Sequence, residues 1–265
     1  MTKKCIEDYE NGIKSGRGSG RFEHYTPWLT VRGVKSCAVK SRLYSLRFNR
    51  IFHLFSHGEV LAFYQYDWDD SIIEVREQFP LDPNITYQIC KELKLLHPGF
   101  THGGSVMTTD FVLTRRSKEI GEELYSAVQI KHDEDDIRNP RTYSKLEIEH
   151  QYWQKKGHPW KICLSKFFNP TFSTNLEFFY HLRNTPYKIS FLKTLKHKMR
   201  TFLGDDSIRP RDLHNRTVKI GETSLNLAMA INILCAKKLW LFDIKNKLYH
   251  KCTLADFTEV THVNE

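Results

Sequence analysis

The order of predicted helices and strands is the feature that most constrains the fold of this 265-residue chain. Ser56 and Glu59 have the spacing of a capping box, which predicts a helix from residue 56 to about residue 68. Pro140 and Gly157 mark the start and the end of a second helix. The predicted strands lie at 72–81, 106–114, 124–131 and 160–164. Helices and strands in this order predict an α/β core with a mixed sheet.

The pair Asn169-Pro170 predicts a boundary between two domains, 1–168 and 169–265. Beyond it, residues 176–182, 189–203 and 224–238 are predicted to be helical. Trp240–Ile244 and Leu248–Thr253 predict a β-hairpin with Lys245-Asn246-Lys247 as its turn. Helices followed by a hairpin are typical of a winged-helix domain.

The charge is uneven along the chain. The net charge is +9, of which residues 166–265 carry +7 and residues 1–165 only +2. A basic C-terminal third suggests a polyanionic partner. The six cysteines contain no C-x-x-C pair, which disfavours a zinc site or a disulfide framework and favours a reducing cytoplasm. The longest apolar stretch, near 225–236, is too short to span a bilayer.

A candidate active site is visible in the strands. Asp110 interrupts an apolar strand, where an unpaired buried carboxylate would be costly. Gln129-Ile130-Lys131 closes the next strand, and Glu59 opens the helix upstream. An acid on one strand and x-Lys at the end of the next form the skeleton of a magnesium-dependent DNA-cutting site. Carboxylates suit hard Mg²⁺, and a lysine suits the charge that develops on a phosphate.

Each of these residues also has an ordinary structural interpretation. Glu59 could serve only as the capping residue of its helix, and Asp110 could face solvent. A Gln-x-Lys tripeptide occurs by chance, and Gln129 stands where an acid is usual in such sites. Glu149, on the 140–156 helix, could be an ordinary glutamate beside the buried face.

Several short motifs point to one protein family. In chain order they are Gly16-Arg17-Gly18-Ser19-Gly20, Tyr25-Thr26-Pro27-Trp28-Leu29-Thr30-Val31, Arg76-Glu77-Gln78-Phe79-Pro80-Leu81, Met107-Thr108-Thr109-Asp110-Phe111, Lys145-Leu146-Glu147-Ile148-Glu149, Tyr152-Trp153 and Pro159-Trp160. Over about residues 15–182 this series resembles the TnsA family, the endonuclease subunits of heteromeric bacterial cut-and-paste transposases, including CRISPR-associated relatives. The C-terminal part resembles the family in architecture only.

The resemblance implies a restriction-endonuclease-like catalytic domain followed by a winged-helix domain. It places the family's catalytic acids on Glu59 and Asp110 and its catalytic lysine on Lys131. The family's glutamine falls on Gln129, so this departure from the usual acid is typical of the family, and Glu149 matches a further active-site acid. Glu59, Asp110 and Gln129 would hold Mg²⁺; we expect two ions, with Mn²⁺ as a substitute.

The resemblance also implies a function and a set of partners. The protein would cut the 5′, non-transferred strand at each transposon end, on double-stranded DNA. A TnsB-like DDE transposase would cut the 3′ ends, and a TnsC-like AAA+ regulator would bind the C-terminal domain. No membrane association is expected. Two other classes stay open: a free-standing restriction or repair nuclease, and a non-catalytic winged-helix adaptor.

Overall fold

A computed structural model describes residues 2–33, 40–98, 105–117 and 121–260. The chain divides into two compact units between Phe168 and Asn169. Part of the predicted loop at 96–105 lies outside the described residues. Within the part of the chain that the structure describes, no helix is both long and apolar enough to cross a membrane.

The N-terminal unit contains five helices and six strands among its described residues. Its helices are α1 (Thr2–Lys14), α2 (His57–Trp68), α3 (Pro83–Leu93), α4 (Glu134–Arg138) and α5 (Pro140–Lys155). Its strands are β1 (Ser41–Ser45), β2 (Arg50–Leu54), β3 (Ile72–Pro80), β4 (Thr108–Arg116), β5 (Glu123–Lys131) and β6 (Trp160–Leu164). Helices α1, α3 and α4 were not predicted from the sequence.

The central sheet of this unit has the strand order β3-β4-β5-β6. Strand β4 pairs antiparallel with β3 and with β5, whereas β6 pairs parallel with β5. The prediction of a mixed sheet is therefore confirmed. Helices α3 and α5 pack over a core cluster of apolar residues that includes Ile89, Val112, Ala127 and Ile148.

Local sequence signals account for the helix starts that matter to the site. Ser56 caps α2, because its hydroxyl accepts a hydrogen bond from the Glu59 N–H at 3.1 Å. Asn139 caps α5 in the same way, accepting from the N–H groups of Arg141 and Thr142, and Pro140 occupies the first turn. The helix start predicted at Ser56 is thus confirmed, but the capping box forms only in part, because the Glu59 carboxylate accepts from the Phe55 N–H and the Ser56 hydroxyl and not from the Ser56 N–H.

The C-terminal unit has helices α6 (Pro170–Arg183), α7 (Ile189–Met199) and α8 (Leu227–Ala236). Its described strands are β7 (Thr217–Ile220), β8 (Thr223–Asn226), β9 (Trp240–Leu241) and β10 (Thr258–Glu259). Strands β7 and β8 form a hairpin, and β9 pairs antiparallel with β10. A core of buried residues around α8 holds the unit together.

Two C-terminal predictions are wrong. The helix predicted from residue 224 begins at Leu227, because residues 223–226 pair with β7 and Asn226 caps the helix through the Met229 N–H. The hairpin predicted at 240–253 does not form. Instead β9 pairs with β10, and Tyr249 lies in a 3₁₀ turn with its ring packed among Phe178, Phe179 and Phe242. Burial of these aromatic side chains, rather than strand pairing, explains the apolar pattern there.

Candidate active site

A cleft of about 900 Å³ in the N-terminal unit contains all five residues predicted for the site. They come from the start of α2, the start of β4, the end of β5 and the middle of α5. They are Glu59, Asp110, Gln129, Lys131 and Glu149. The fold therefore brings together residues that are up to 90 positions apart in the chain.

The cleft opens where β4 and β5 part. Their antiparallel register ends at the pair Phe111 and Val128, beyond which β5 continues only with β6. Beyond that pair, hydrogen bonds from backbone N–H groups to side chains connect β4 and β5 in place of backbone-to-backbone bonds. The Ile130 N–H donates to Asp110 Oδ2 at 2.8 Å, and the Asp110 N–H donates to Gln129 Oε1 at 3.1 Å. Asp110 is thus fixed by the backbone of the neighbouring strand, and it is buried rather than solvent-facing.

Glu59 both caps its helix and lines the cleft. Its Oε2 accepts from the Phe55 N–H at 3.0 Å, and its Oε1 accepts from the Ser56 hydroxyl at 3.0 Å. Glu59 as a whole residue is only 5% exposed. The capping interpretation is therefore correct but incomplete, since the same carboxylate faces the other acid of the cleft.

Burial perturbs both acids, and the charge of Asp110 adds to the effect on Glu59. Burial and the negative charge of Asp110 raise the pKa of Glu59 to about 8. Burial also raises the pKa of Asp110, although the nearby Lys131 ammonium and a hydrogen bond from the Ile130 N–H oppose that effect. Two carboxylates that repel each other in a buried cleft are an arrangement that a cation would stabilise.

The oxygen donors of this cleft fit a hard divalent cation. No group of three His, Cys, Asp or Glu side chains close enough to hold a metal occurs among the described residues. Mg²⁺, however, is commonly held by one or two carboxylates together with waters and substrate phosphates. Glu59 and Asp110 supply that pair, and Gln129 Oε1 keeps a lone pair beyond its bond to the Asp110 N–H.

Lys131 places a cation beside this pair. Its Nζ donates to the Ile130 carbonyl at 3.2 Å, and the side chain is half-buried in the cleft wall. Burial raises the pKa values of Glu59, Asp110 and Glu149, and the positive charge of Lys131 partly offsets that rise in each of them. A cation that influences all three acids is placed to interact with an anionic substrate between them.

Glu149 is held by a separate hydrogen-bond network. Its Oε1 accepts from Thr109 Oγ1 at 2.7 Å and from Trp160 Nε1 at 3.0 Å. Trp153 Nε1 in turn donates to Thr109 Oγ1 at 2.8 Å. Burial raises the pKa of Glu149 to about 8, and these hydrogen bonds only partly offset it. Glu149 is therefore a buried, rigidly held acid rather than an ordinary surface glutamate.

Sequence reasoning missed Gln78 and Thr109 as parts of the site. Gln78 Nε2 donates to Glu59 Oε2 at 3.3 Å, and Thr108 Oγ1 donates to Gln78 Oε1 at 3.2 Å. Both Gln78 and Thr109 lie within motifs that carry the family resemblance. Nothing in the local sequence shows that β3 brings Gln78 to Glu59, because that contact depends on the long-range register of the sheet.

Comparison with known proteins supports the resemblance to the TnsA family. Residues 69–165 match the family described as the TnsA-like endonuclease N-terminal domain. The chain is also 37% identical over 183 residues to the transposon Tn7 transposition protein TnsA of Escherichia coli. That similarity covers 69% of this chain and 66% of the relative, slightly less than two thirds of its length.

The matched region contains Asp110, Gln129, Lys131 and Glu149, whereas Glu59 lies just before it. The mixed sheet that carries Asp110, Gln129 and Lys131 fits a restriction-endonuclease-like fold. Enzymes of that superfamily generally use a divalent metal, which agrees with the donor atoms of the cleft. The chain is similar to TnsA, and residues 69–165 of its N-terminal unit match the TnsA-like endonuclease domain.

Proposed function

We propose that this chain is the endonuclease subunit of a heteromeric cut-and-paste transposase. It cuts the 5′, non-transferred strand at each transposon end. The observation that carries this proposal is the cleft in which Glu59, Asp110 and Lys131 converge. Two buried carboxylates can hold a metal ion for phosphodiester hydrolysis, and one ammonium beside them can interact with the scissile phosphate.

Mg²⁺ is the proposed cofactor, with two ions expected and Mn²⁺ as a substitute. Glu59 and Asp110 would hold the cation, and Gln129 would contribute its amide oxygen without charge. When bound, the cation supplies Lewis-acid polarisation of the scissile phosphate and makes water a stronger nucleophile at neutral pH.

The side chains have separate tasks in this proposal. Lys131 orients the attacking water or neutralises the charge that develops on the phosphate, since its ammonium lies beside both acids. Asp110 is kept in place by the Ile130 N–H, and Glu59 by the start of α2. Glu149 holds the wall of the cleft through Thr109 and Trp160.

The proposed partners act on the same DNA in the cytoplasm. A TnsB-like DDE transposase recognises the double-stranded transposon ends and cuts the 3′ strands. A TnsC-like AAA+ regulator binds the C-terminal unit, which we propose to be a divergent winged helix. Three helices, followed after α8 by the antiparallel pair β9 and β10, support that architecture.

The distribution of charged contacts favours a protein partner for the C-terminal unit. Lys247 forms an ion pair with Asp256, and Lys196 is nearly buried against Glu259. Lys237 Nζ donates to the carbonyls of Arg183 and Thr185. These lysines are engaged within the unit, which leaves them less available for DNA phosphates.

Strand-resolved mapping of excision products tests the proposal. Purified partners would process donor DNA with the wild-type chain or with Asp110→Ala, and each strand end would be mapped separately. We expect Asp110→Ala to lose the 5′-strand cut, to retain the 3′-strand cut, and to give cointegrates. Equal loss of both cuts by a folded variant would contradict the division of labour. Cutting by the chain alone would favour a free-standing nuclease.

A further inference from the structure

Gln78 has an unusual backbone for a residue inside a strand. Its φ is 49°, in the left-handed region, and its side chain is buried. The register of β3 against β4 runs from Glu77 opposite Phe111 to Phe79 opposite Thr109, so Gln78 faces Asp110 between these pairs. A non-glycine residue pays about 1 kcal/mol or more for this conformation, which persists only where the surroundings impose it.

The side chain of Gln78 contacts Glu59, and its strand position lies opposite Asp110. Its Nε2 donates to Glu59 Oε2 at 3.3 Å, and burial raises the pKa of Asp110 while Gln78 is among the groups that oppose this rise. The Thr108 hydroxyl donates to the Gln78 oxygen, which turns the NH₂ end of the amide towards the carboxylates. Gln78 therefore links Glu59 to Asp110 without adding charge.

An N-terminal strap, residues 17–28, holds the backbone around Gln78. The Trp28 N–H donates to the Gln78 carbonyl at 3.2 Å, and the Tyr25 hydroxyl donates to the adjacent Glu77 carbonyl at 3.0 Å. Arg17 closes the strap, because its guanidinium donates to the Trp28 carbonyl at 2.8 Å and stacks 4.3 Å from the indole centre. The strap thus fixes the peptide groups on which the conformation of Gln78 depends.

Gly18 shows how closely the strap lies against β3. Its φ is 66°, and a Cβ added there would be 2.2 Å from Pro80 Cγ. Only glycine fits both the left-handed backbone and this contact. The glycine-rich motif at 16–20, which the cleft itself does not use, therefore has a role in seating the strap.

We propose that Gln78 is a positioning residue for the two metal-binding carboxylates, and that the N-terminal strap sets its conformation. The inference rests on the proposed metal-dependent function. The amide holds Glu59 and Asp110 in a fixed relation, so that a cation meets a prearranged pair of ligands. Partners of metal ligands that act in this way typically contribute 10- to 100-fold to metal affinity.

The test is the affinity of the full chain for Mn²⁺ without DNA, measured by water-proton relaxation. Gln78→Asn keeps the amide, and asparagine tolerates the left-handed region, but the side chain is one methylene too short to reach both acids. We expect about a tenfold loss of Mn²⁺ affinity in this variant. Lys94→Asn is the matched control, because Lys94 also has a left-handed backbone, with φ at 55°, but caps α3. We expect its Mn²⁺ affinity to equal that of the wild type.

Unchanged or tighter Mn²⁺ binding by a folded Gln78→Asn variant would overturn the role of Gln78. If the wild-type chain itself bound no Mn²⁺, the proposed metal site would fail first, so the two failures are distinguishable. Thermal unfolding of each metal-free variant establishes that it is folded.

The strap is tested by Arg17→Ala, with Lys14→Ala as an exposed control at the end of α1. Arg17→Ala removes two hydrogen bonds to the Trp28 carbonyl without touching the cleft. We expect it to weaken Mn²⁺ binding, by less than Gln78→Asn does, and we expect Lys14→Ala to leave binding unchanged. Wild-type affinity in Arg17→Ala would overturn the role of the strap.

Discussion

Replacing Glu149 by glutamine should stabilise the metal-free protein increasingly as the pH rises. Glu149 has a pKa of about 8 instead of its ordinary value of 4.5, because burial disfavours its charged form. The folded protein therefore retains a proton that the unfolded chain has released. The stability due to this group is fully present below pH 4.5, and it is lost as the pH rises through about 8.

The magnitude follows from these two pKa values. Each unit of pH between them changes the free energy of unfolding by about 1.4 kcal/mol. The Glu149→Gln variant should therefore gain about 3 kcal/mol on the wild type between pH 5.5 and pH 8.5. Glutamine preserves the acceptor oxygen for Thr109 and Trp160, so the two proteins should be similar at the lower pH.

The assay is urea unfolding in the presence of a chelator, followed by tryptophan fluorescence. Four of the five tryptophans, at positions 28, 68, 153 and 160, lie in the N-terminal unit, so the signal reports mainly on that unit. Glu147→Gln, on the same helix, controls for the loss of one acidic group. A constant difference between Glu149→Gln and the wild type across this pH range would refute the reasoning.

Two further predictions concern the charged side chains. Lys131→Ala should reduce 5′-strand cleavage more than Gln129→Ala does. A cation beside the negative charge that develops on the phosphate typically stabilises the transition state by a few kcal/mol, and a neutral metal ligand contributes less. Equal cleavage rates of the two variants would contradict the role given to Lys131. Arg50→Met should lower the free energy of unfolding by about 3–5 kcal/mol, since it leaves Glu77 buried without its bidentate partner. Adding Glu77→Gln should restore most of that loss, and a double variant as unstable as the single one would argue against this explanation.

Local signals in the sequence predicted much of the N-terminal unit. The capping box at Ser56 located α2 and hence Glu59, and Pro140 located the start of α5, which carries Glu149. These signals succeed because a cap depends on residues only a few positions apart. Helix α3 was missed, although Asp82 caps it and Pro83 occupies its first turn.

The features that the sequence did not predict depend on contacts between residues far apart in the chain. Gln78 meets Asp110 only through the register of β3 against β4, which a single strand does not encode. In the C-terminal unit, the apolar pattern at 240–253 suggested strands because Trp240, Tyr249 and Cys252 are all buried. Their burial comes from packing in a small core, and a pattern of apolar residues does not distinguish the two causes.

The central claim is that Glu59 and Asp110 together hold a divalent cation for DNA cleavage. The most direct measurement is an anomalous difference map from crystals of the full chain grown with Mn²⁺. We predict a peak between the two carboxylates, about 2.0–2.2 Å from an oxygen of each, the separation expected for a hard divalent ion of this size. Bound Mn²⁺ elsewhere on the protein, with none between Glu59 and Asp110, would contradict the claim.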